Sequence, residues 1–414
     1  MNIKIHRGTD QIGGCVTEYE YGGWHLFLDY GEQLPGVEPS EPVEVEGLTK
    51  GDLTKSALLI THYHGDHTGY IHLIPEAVPV YMGEVALKIQ KEYSKHLSGV
   101  LAKQKKNFER LQKAKTFTPG KVFKFGDFSI IPVTVDHSAF DAYAFKIEAG
   151  GMSVFHTGDF RTHGFRGGKL PKVVDKYIGK VDYVVCEGTN VSRQDTCIMM
   201  ESELQQQFIK QFKQHKGNVV YVSSTNIDRL FSVYQAALRA KRPFYVDAYQ
   251  KRIMDIATKD PIWGKSELYQ YGEYEPVELI YKSGKFEVNE KYKDFVSSQG
   301  YVLIARANVK YSELIEQIPG DKVRYLSMWE GYVDSDNPAY NERLVKALGE
   351  DYITLHTSGH CDMESLRFLF CQLSPRGIIP IHTNDPEKFE QTFRDEWNVI
   401  RLHDGQSVNL VTES

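Results

Sequence analysis

The chain has 414 residues, of which 41% are hydrophobic and 25% are charged, and its formal net charge is −6. A chain of this length is expected to form two domains or one large layered domain. The negative charge excludes a surface that is basic throughout, so any nucleic-acid site must be local. No apolar run reaches the about 18 residues that a membrane-spanning helix needs.

The cysteines and the start of the chain predict a cytoplasmic protein. Residues 1–7 lack the apolar segment of a signal peptide. The five cysteines form no Cys-X-X-Cys pair and no spacing typical of a disulfide framework, so we expect reduced thiols. These cysteines are Cys15, Cys186, Cys197, Cys361 and Cys371.

The beginning of the chain predicts short β-strands followed by a loop. The strands are expected at 3–5, 15–21 and 24–28. Gly22 and Gly23 lie between the last two and favour a hairpin turn. Residues 32–52 carry three prolines and an acidic bias, which is typical of a loop.

An apolar run at 57–60, typical of a buried strand, leads directly into a cluster of metal-binding residue types. The cluster is His62, His64, Asp66 and His67. Imidazole and carboxylate are the usual ligands of zinc and of related divalent ions. Four such groups within six residues are too many for one tetrahedral ion that must also bind substrate, so the spacing predicts two ions. A turn at Gly65 would aim the second pair of ligands away from the first.

Residues 83–115 are helical in composition and strongly basic, with nine lysines or arginines. Such a helix most often presents a solvated face. The other interpretation is a surface that guides nucleic acid. In that case, substitution of Lys103, Lys105, Lys106 and Arg110 would weaken binding and reduce its salt dependence.

From residue 122 onward, several apolar runs each deliver a polar residue at the carboxyl end. The runs are 129–135, 152–155, 183–186 and 377–381. The polar residues that follow them are His137, Asp159, Glu187 and His382. Clefts at the ends of strands are where sheet-based enzymes place their chemistry. The repeated pattern therefore predicts one shared site.

Between residues 190 and 350, strand and helix patterns alternate, which indicates a parallel α/β domain. This domain lies in the sequence between Glu187 and His382, two residues expected in one site. We therefore predict an insertion. The expected limits are 1–188 for the first part of the outer domain, 189–350 for the inserted domain and 351–414 for the return.

The segment His62-Tyr-His-Gly-Asp-His67 resembles the HxHxDH signature of the metallo-β-lactamase fold, a four-layer αββα sandwich. His137 and Asp159 fall where the later metal motifs of that fold belong. The resemblance implies an α/β protein in which this sandwich carries an inserted parallel α/β domain.

Three further residues, with the sequence around them, look like the additional motifs A, B and C of the β-CASP subgroup of that superfamily. This subgroup includes ribonuclease J. The three residues are Glu187, His360 and His382. The segments 356–360 and 379–382 are similar to the ribonuclease J versions. RNA-processing members carry a histidine where His382 stands, so the resemblance implies RNA rather than DNA as substrate.

The activity implied by this resemblance is the hydrolysis of RNA phosphodiester bonds by a hydroxide held between two divalent ions, expected to be zinc, with manganese as the alternative. One ion would be held by His62, His64 and His137. The other would be held by Asp66, His67 and His382. Asp159 would bridge both.

Three side chains are expected to act on the reaction directly or through a neighbour. Asp66 would orient the attacking hydroxide. His360 would be the general acid for the leaving oxygen. Glu187 would hold His360 in the required tautomer.

The turn before His360 predicts a pocket for a phosphate of the RNA. It consists of His356, Thr357, Ser358 and Gly359. Successive backbone N–H groups and a hydroxyl can bind an anion there, and a helix expected near Met363 would add its positive end. Ordinary capping of a strand-to-helix turn is the other explanation.

Two other functions compete with the ribonuclease. A hydrolase of small esters or lactones would share the metal ligands but would have no use for the inserted domain or for His360. A catalytically weak RNA-binding or scaffold subunit is the second. The expected partner is RNA, with no membrane, and the sequence leaves open both the oligomeric state and the choice between exonuclease and endonuclease action.

Overall fold

The computed structural model describes residues 1–192, 198–283, 285–287 and 299–410, so Cys197 lies outside the described residues. The chain divides into two compact units, one formed by Met1–Ile198 with Gly359–Ser414 and the other by Met199–Ser358. The domain limits predicted from the sequence lie slightly earlier along the chain at both junctions and stay a proposal.

The first unit contains two β-sheets. Its strands are β1 (Asn2–Arg7), β2 (Val16–Tyr21), β3 (Trp24–Leu28), β4 (Ser56–Leu59), β5 (Val80–Met82), β6 (Lys115–Thr116), β7 (Phe123–Phe125), β8 (Phe128–Val135), β9 (Ala142–Ala149), β10 (Met152–His156), β11 (Tyr183–Glu187), β19 (Gly377–Ile381) and β20 (Ser407–Asn409). Among the described residues, one sheet has the order β20-β1-β2-β3-β4-β5-β6 and the other the order β19-β11-β10-β9-β8-β7.

The two sheets of this unit share a hydrophobic core because their strands alternate strictly. In β11, Tyr183 and Val185 point into the core between the sheets, whereas Val184 and Cys186 point to a second core on the outer face. Ile5 and Leu59 contribute to the first core from the opposite sheet. Successive side chains of a strand point to opposite faces, so this sheet is buried on both of its faces.

Helices cover the outer faces of this sandwich. The helices of the unit are α1 (Gly65–Thr68), α2 (Glu84–Leu97), α3 (Ala102–Leu111), α4 (Leu170–Val173), α10 (Met363–Leu373) and α11 (Pro386–Phe393). Leu366 and Phe370 of α10 and Phe389 of α11 belong to the second core, against the β11 sheet. The predicted α/β class, a four-layer αββα sandwich with an insertion, is confirmed.

The second unit is the predicted parallel α/β layer. Its strands are β12 (Gly217–Val222), β13 (Phe244–Asp247), β14 (Val277–Lys282), β15 (Lys285–Glu287), β16 (Tyr301–Ala305), β17 (Lys322–Ser327) and β18 (Tyr352–Thr354). Its described helices are α5 (Glu201–Gln214), α6 (Ile227–Arg239), α7 (Ala248–Thr258), α8 (Val309–Gln317) and α9 (Glu342–Leu348). The sheet order is β15-β14-β13-β16-β12-β17-β18, and the described strand pairs are parallel except β14 with β15.

The basic segment 83–115 is not one helix. It forms α2 and α3, which pack against each other and are joined by residues 98–101. The backbone leaves the helical conformation at Leu101, whose φ of −127° and ψ of 107° are extended, and α3 begins at the next residue. Within the described residues, no helix combines the length and the apolar character that crossing a membrane requires.

Candidate metal centre

The segment after β4 carries four of the predicted ligands on a tight turn. His62 is fully buried, and α1 begins at Gly65, so Asp66 and His67 lie on the first turn of a short helix. The N–H of Cys15 donates to the Asp66 carbonyl at 3.2 Å. A Cβ at Gly31 would overlap the same carbonyl oxygen, which explains the glycine there.

Three histidines form the first donor group. His64 Nδ1 lies 3.2 Å from His62 Nε2 and 3.2 Å from His137 Nε2. Burial holds the pKa of His62 and His137 well below the usual value and lowers the pKa of His64 to about 4. The three imidazoles are therefore neutral at pH 7, which is the form that binds metal.

Two carboxylates and two histidines form the second donor group. Asp66 Oδ2 lies 3.3 Å from His382 Nε2, and Asp159 Oδ2 lies 3.2 Å from His67 Nε2 and 3.5 Å from His382 Nε2. The same Asp159 oxygen is 3.8 Å from His62 Nε2, in the first group. The seven residues predicted as ligands thus lie together, with Asp159 between the two groups.

The charge and hydrogen bonding of the second group fit a cation. His67 Nε2 is buried and has no hydrogen-bond partner among the described residues. Burial raises the pKa of Asp159, but His382 and His67 lower it more, so the carboxyl has a pKa well below its usual range. An ionised carboxylate beside an unpartnered imidazole nitrogen is a donor set for a divalent ion. The fold implies such ions, and the residues present fit them.

The outward ring nitrogens of four of these histidines are held by partners, three of which the sequence did not predict as site residues. Asp29 Oδ2 lies 2.8 Å from His67 Nδ1, Thr61 Oγ1 lies 3.0 Å from His62 Nδ1, and Thr189 Oγ1 lies 2.8 Å from His382 Nδ1. His137 Nδ1 donates to the Gly359 carbonyl at 2.6 Å. These bonds fix the rings so that each Nε2 faces the centre.

Only one of the missed residues carried a signal in the sequence. Asp29 follows the apolar strand β3 in the way that the other polar residues follow theirs. It also accepts hydrogen bonds from the N–H and the hydroxyl of Thr61, both at 2.8 Å. The hydroxyls of Thr61 and Thr189 had no such signal, because threonine is common at strand ends.

His360 and Glu187 form a separate pair at the edge of the centre. His360 Nδ1 lies 2.8 Å from Glu187 Oε2 and 3.8 Å from Asp159 Oδ2. Glu187 is 1% exposed and also accepts from the N–H of Phe160 at 2.8 Å. The carboxylate is therefore fixed on two sides, whereas the His360 side chain is 20% exposed. A buried carboxylate that accepts from Nδ1–H fixes the orientation of the imidazole ring.

The turn predicted to bind phosphate is divided between the two units. His356, Thr357 and Ser358 lie in the second unit, where Arg229 donates to the Thr357 carbonyl at 3.4 Å. Gly359 lies in the first unit.

The helix expected to support that phosphate already has a carboxylate at its N-terminal end. α10 begins at Met363, as expected, and Asp362 accepts from the N–H of Ser365 at 2.7 Å. This cap favours helix capping, and not phosphate binding, as the role of the end of the turn that leads into α10.

The comparisons with known proteins point to one superfamily. Residues 38–222 match the beta-lactamase superfamily domain. The whole chain is similar in structure to a protein of unknown function from Enterococcus faecalis V583, with a TM-score of 0.76, 20% sequence identity and 99% of each chain covered. At that identity the similarity shows the fold alone.

Curated relatives called ribonuclease J extend over nearly the whole chain. The protein from Sinorhizobium meliloti is 26% identical over 91% of this chain and 67% of its own length. The protein from Helicobacter pylori is 23% identical over 97% of this chain and 60% of its own length. The protein from Mycobacterium tuberculosis is 21% identical over 99% of this chain and 75% of its own length. The chain thus spans about three-fifths to two-thirds of the first two relatives.

Proposed function

We propose that this chain hydrolyses RNA phosphodiester bonds with the help of two divalent metal ions, with zinc expected and manganese as the alternative. The proposal is supported by the match of residues 38–222 to the beta-lactamase superfamily domain and by the similarity of the chain to the curated ribonuclease J proteins. The observation that carries this proposal is the position of Asp159, whose Oδ2 lies within 3.8 Å of nitrogens from both donor groups. A shared carboxylate is what a pair of ions about 3.5–4 Å apart needs.

Each ion would have its own set of protein ligands. His62, His64 and His137 would hold one ion. Asp66, His67 and His382 would hold the other. Such ions, when bound, activate water and neutralise charge on the phosphate oxygens. Asp159 would contact both, and Asp66 would also orient the attacking water.

His360 is the proposed general acid. Its Nδ1 donates to buried Glu187 at 2.8 Å, and in the imidazolium form the Nε2–H would give its proton to the leaving oxygen. Glu187 acts through His360, as a positioning residue that selects the tautomer. The 20% exposure of the His360 side chain is compatible with contact to a substrate and with reprotonation from water.

Labelled oligonucleotides test the substrate class. Purified protein would be incubated with RNA and DNA single strands of matched sequence that carry a label at the 5′ or the 3′ end, and the fragments would be sized. We expect cleavage of RNA well above that of DNA, and the fragment pattern separates exonuclease from endonuclease action. Equal rates on the two strands would contradict the RNA assignment.

Hydrolysis of small esters or lactones is the second candidate, since it would use the same donor groups. A His360–Glu187 pair has no evident role in that reaction. Lactone hydrolysis without any nuclease activity would replace the proposal. Bound RNA with intact metal content but no cleavage would instead indicate a scaffold subunit.

A further inference from the structure

A buried thiol lies against the second donor group. The Sγ of Cys15 and one ring nitrogen from each of His67 and His382 all lie within 4.8 Å of one another. Cys15 is 3% exposed and forms no disulfide. The motifs in the sequence gave no role to this residue, which precedes β2 and is 47 residues away from the nearest predicted ligand, His62.

The backbone around Cys15 is fixed on three sides. Its N–H donates to the Asp66 carbonyl and its own carbonyl accepts from the N–H of Gly31, both at 3.2 Å. Gly8 lies beside the sulfur, with a φ of +114°, and a Cβ there would approach Sγ to 3.3 Å. The carbonyl of Gly8 also accepts from the N–H of His382 at 2.7 Å. Gly8 therefore lies beside the Cys15 thiol and also binds the backbone of His382, a predicted ligand.

A second observation indicates that this corner binds an ion. His67, one of the two histidines clustered with Cys15, has a buried Nε2 without a hydrogen-bond partner among the described residues. A thiolate is a softer ligand than imidazole or carboxylate and favours zinc over manganese or magnesium. On binding, the thiol releases its proton to solvent as the bond between sulfur and metal forms.

We propose that Cys15 is a further donor to the ion held by Asp66, His67 and His382, and that it biases this position toward zinc. The inference rests on the proposed function only in that it requires ions at the two donor groups. It goes beyond that function because it assigns a metal ligand and a metal preference to a residue outside the superfamily motifs.

X-ray absorption on the wild-type zinc protein tests the contact without any substitution. A zinc–sulfur distance of ~2.3 Å is expected if the thiolate is bound, against ~2.0–2.2 Å for nitrogen and oxygen donors alone. In the cobalt-substituted protein, a thiolate-to-cobalt charge-transfer band is expected in the near ultraviolet. Cys15→Ala should remove that band, whereas Cys371→Ala, which changes an exposed thiol on α10, should keep it.

Metal competition tests the preference. Wild type, Cys15→Ser and Cys371→Ala would be loaded with equal zinc and manganese, and the bound metals would be measured. We expect Cys15→Ser to lose zinc relative to manganese by about tenfold or more, a change of the size seen when groups near a metal are altered.

The outcomes separate this inference from the proposed function. Two bound ions without sulfur scattering, with the same zinc preference in Cys15→Ser, would overturn the role of Cys15 and leave the ribonuclease proposal standing. A wild-type protein that binds no divalent ion and cleaves no RNA would overturn both.

Discussion

At the scale of single residues, Asp159 and His360 are close in space but are expected to differ in role. Asp159 is buried between the two donor groups, and its Oδ2 is 3.2 Å from His67 Nε2. His360 makes its 2.8 Å contact to Glu187 with Nδ1 and approaches Asp159 only to 3.8 Å. We therefore propose that Asp159 is a ligand and His360 an acid.

We predict that Asp159→Ala loses both metal and activity, because neither ion keeps its shared donor. His360→Ala should retain two ions and still lose about 10²–10⁴-fold in turnover, the usual contribution of a general acid. Metal content by mass spectrometry, together with single-turnover cleavage rates, checks both variants. Loss of zinc from His360→Ala would show that the division of roles is wrong.

Asp29 gives a second test at this scale. Its carboxylate accepts from His67 Nδ1 and from Thr61, and its φ is +61°, a conformation that asparagine tolerates. We predict that Asp29→Asn weakens metal binding by about 10–100-fold while the fold is kept. Titration with a competing chelator measures the affinity, and circular dichroism controls for folding. An unchanged affinity would mean that the charge of Asp29 does not act through His67.

At the scale of elements, the basic side chains of α2 and α3 are of two kinds: some are buried or paired within the fold, and others are exposed to solvent. Arg110 is buried and donates to the carbonyls of Ile74 and Val78, at 2.9 Å and 2.6 Å. Lys103 pairs with Glu32. Substitution of Arg110 would therefore test folding, and substitution of Lys103 would test an ion pair. Neither residue is a clean probe of RNA binding, although the sequence suggested both.

The exposed lysines of these helices are the better probes. Lys95, Lys105 and Lys106 are exposed and make no ion pair with a described residue. If the helices guide RNA, a triple change to Gln should raise KM and flatten the salt dependence of binding by up to ~0.7 per lost phosphate contact.

The matched control for that triple variant changes three exposed lysines that lie outside α2 and α3 and already pair with carboxylates. They are Lys50, Lys259 and Lys346. It removes the same charge, so a salt dependence altered equally in both variants would leave only a solvated surface at α2 and α3.

The turn at 356–359 is the other element that can be tested. We predict that Ser358→Ala weakens RNA binding with metal content intact, since a hydroxyl donor to phosphate is lost. Phosphate or sulfate at saturating concentration should also compete with RNA in the wild type and less so in the variant. Normal RNA affinity in Ser358→Ala would leave helix capping as the explanation of this motif, in keeping with the bond that Asp362 makes to Ser365.

At the scale of the whole molecule, all seven proposed ligands belong to the first unit, although His382 is 315 residues away from His67 along the chain. Ions that bind the folded form alone stabilise it by an amount that grows with their concentration, about 2.7 kcal/mol at a hundred times Kd. The stabilisation should be local to the strands that carry the ligands.

We therefore predict that chelation increases hydrogen exchange in β4, β10, β11 and β19 of the first unit. Peptides from β12 and β16 of the second unit serve as the internal control. Mass spectrometry with and without a chelator measures both sets in one experiment. An equal increase in the two units would show that the ions stabilise more than the unit that holds them.

The sequence by itself determined the superfamily resemblance, the layered α/β class and the residue types at the candidate centre. His62 to His67 are close in sequence, and strands with a period of two or full burial point the residues that follow them to one edge. Such local patterns depend on neighbouring residues, and the match of residues 38–222 to the beta-lactamase superfamily domain agrees with the resemblance they carry.

Only the tertiary structure decided which distant atoms meet. Asp29 behind His67, Thr189 behind His382 and Cys15 beside both rings are contacts between separate strands and loops. The sequence likewise predicts Arg110 as a surface cation, but its guanidinium is buried and donates to backbone carbonyls. The spacing of hydrophobic residues determines which face of a strand or helix is buried. It does not determine which side chains of different elements lie opposite each other, so these contacts are decided by packing.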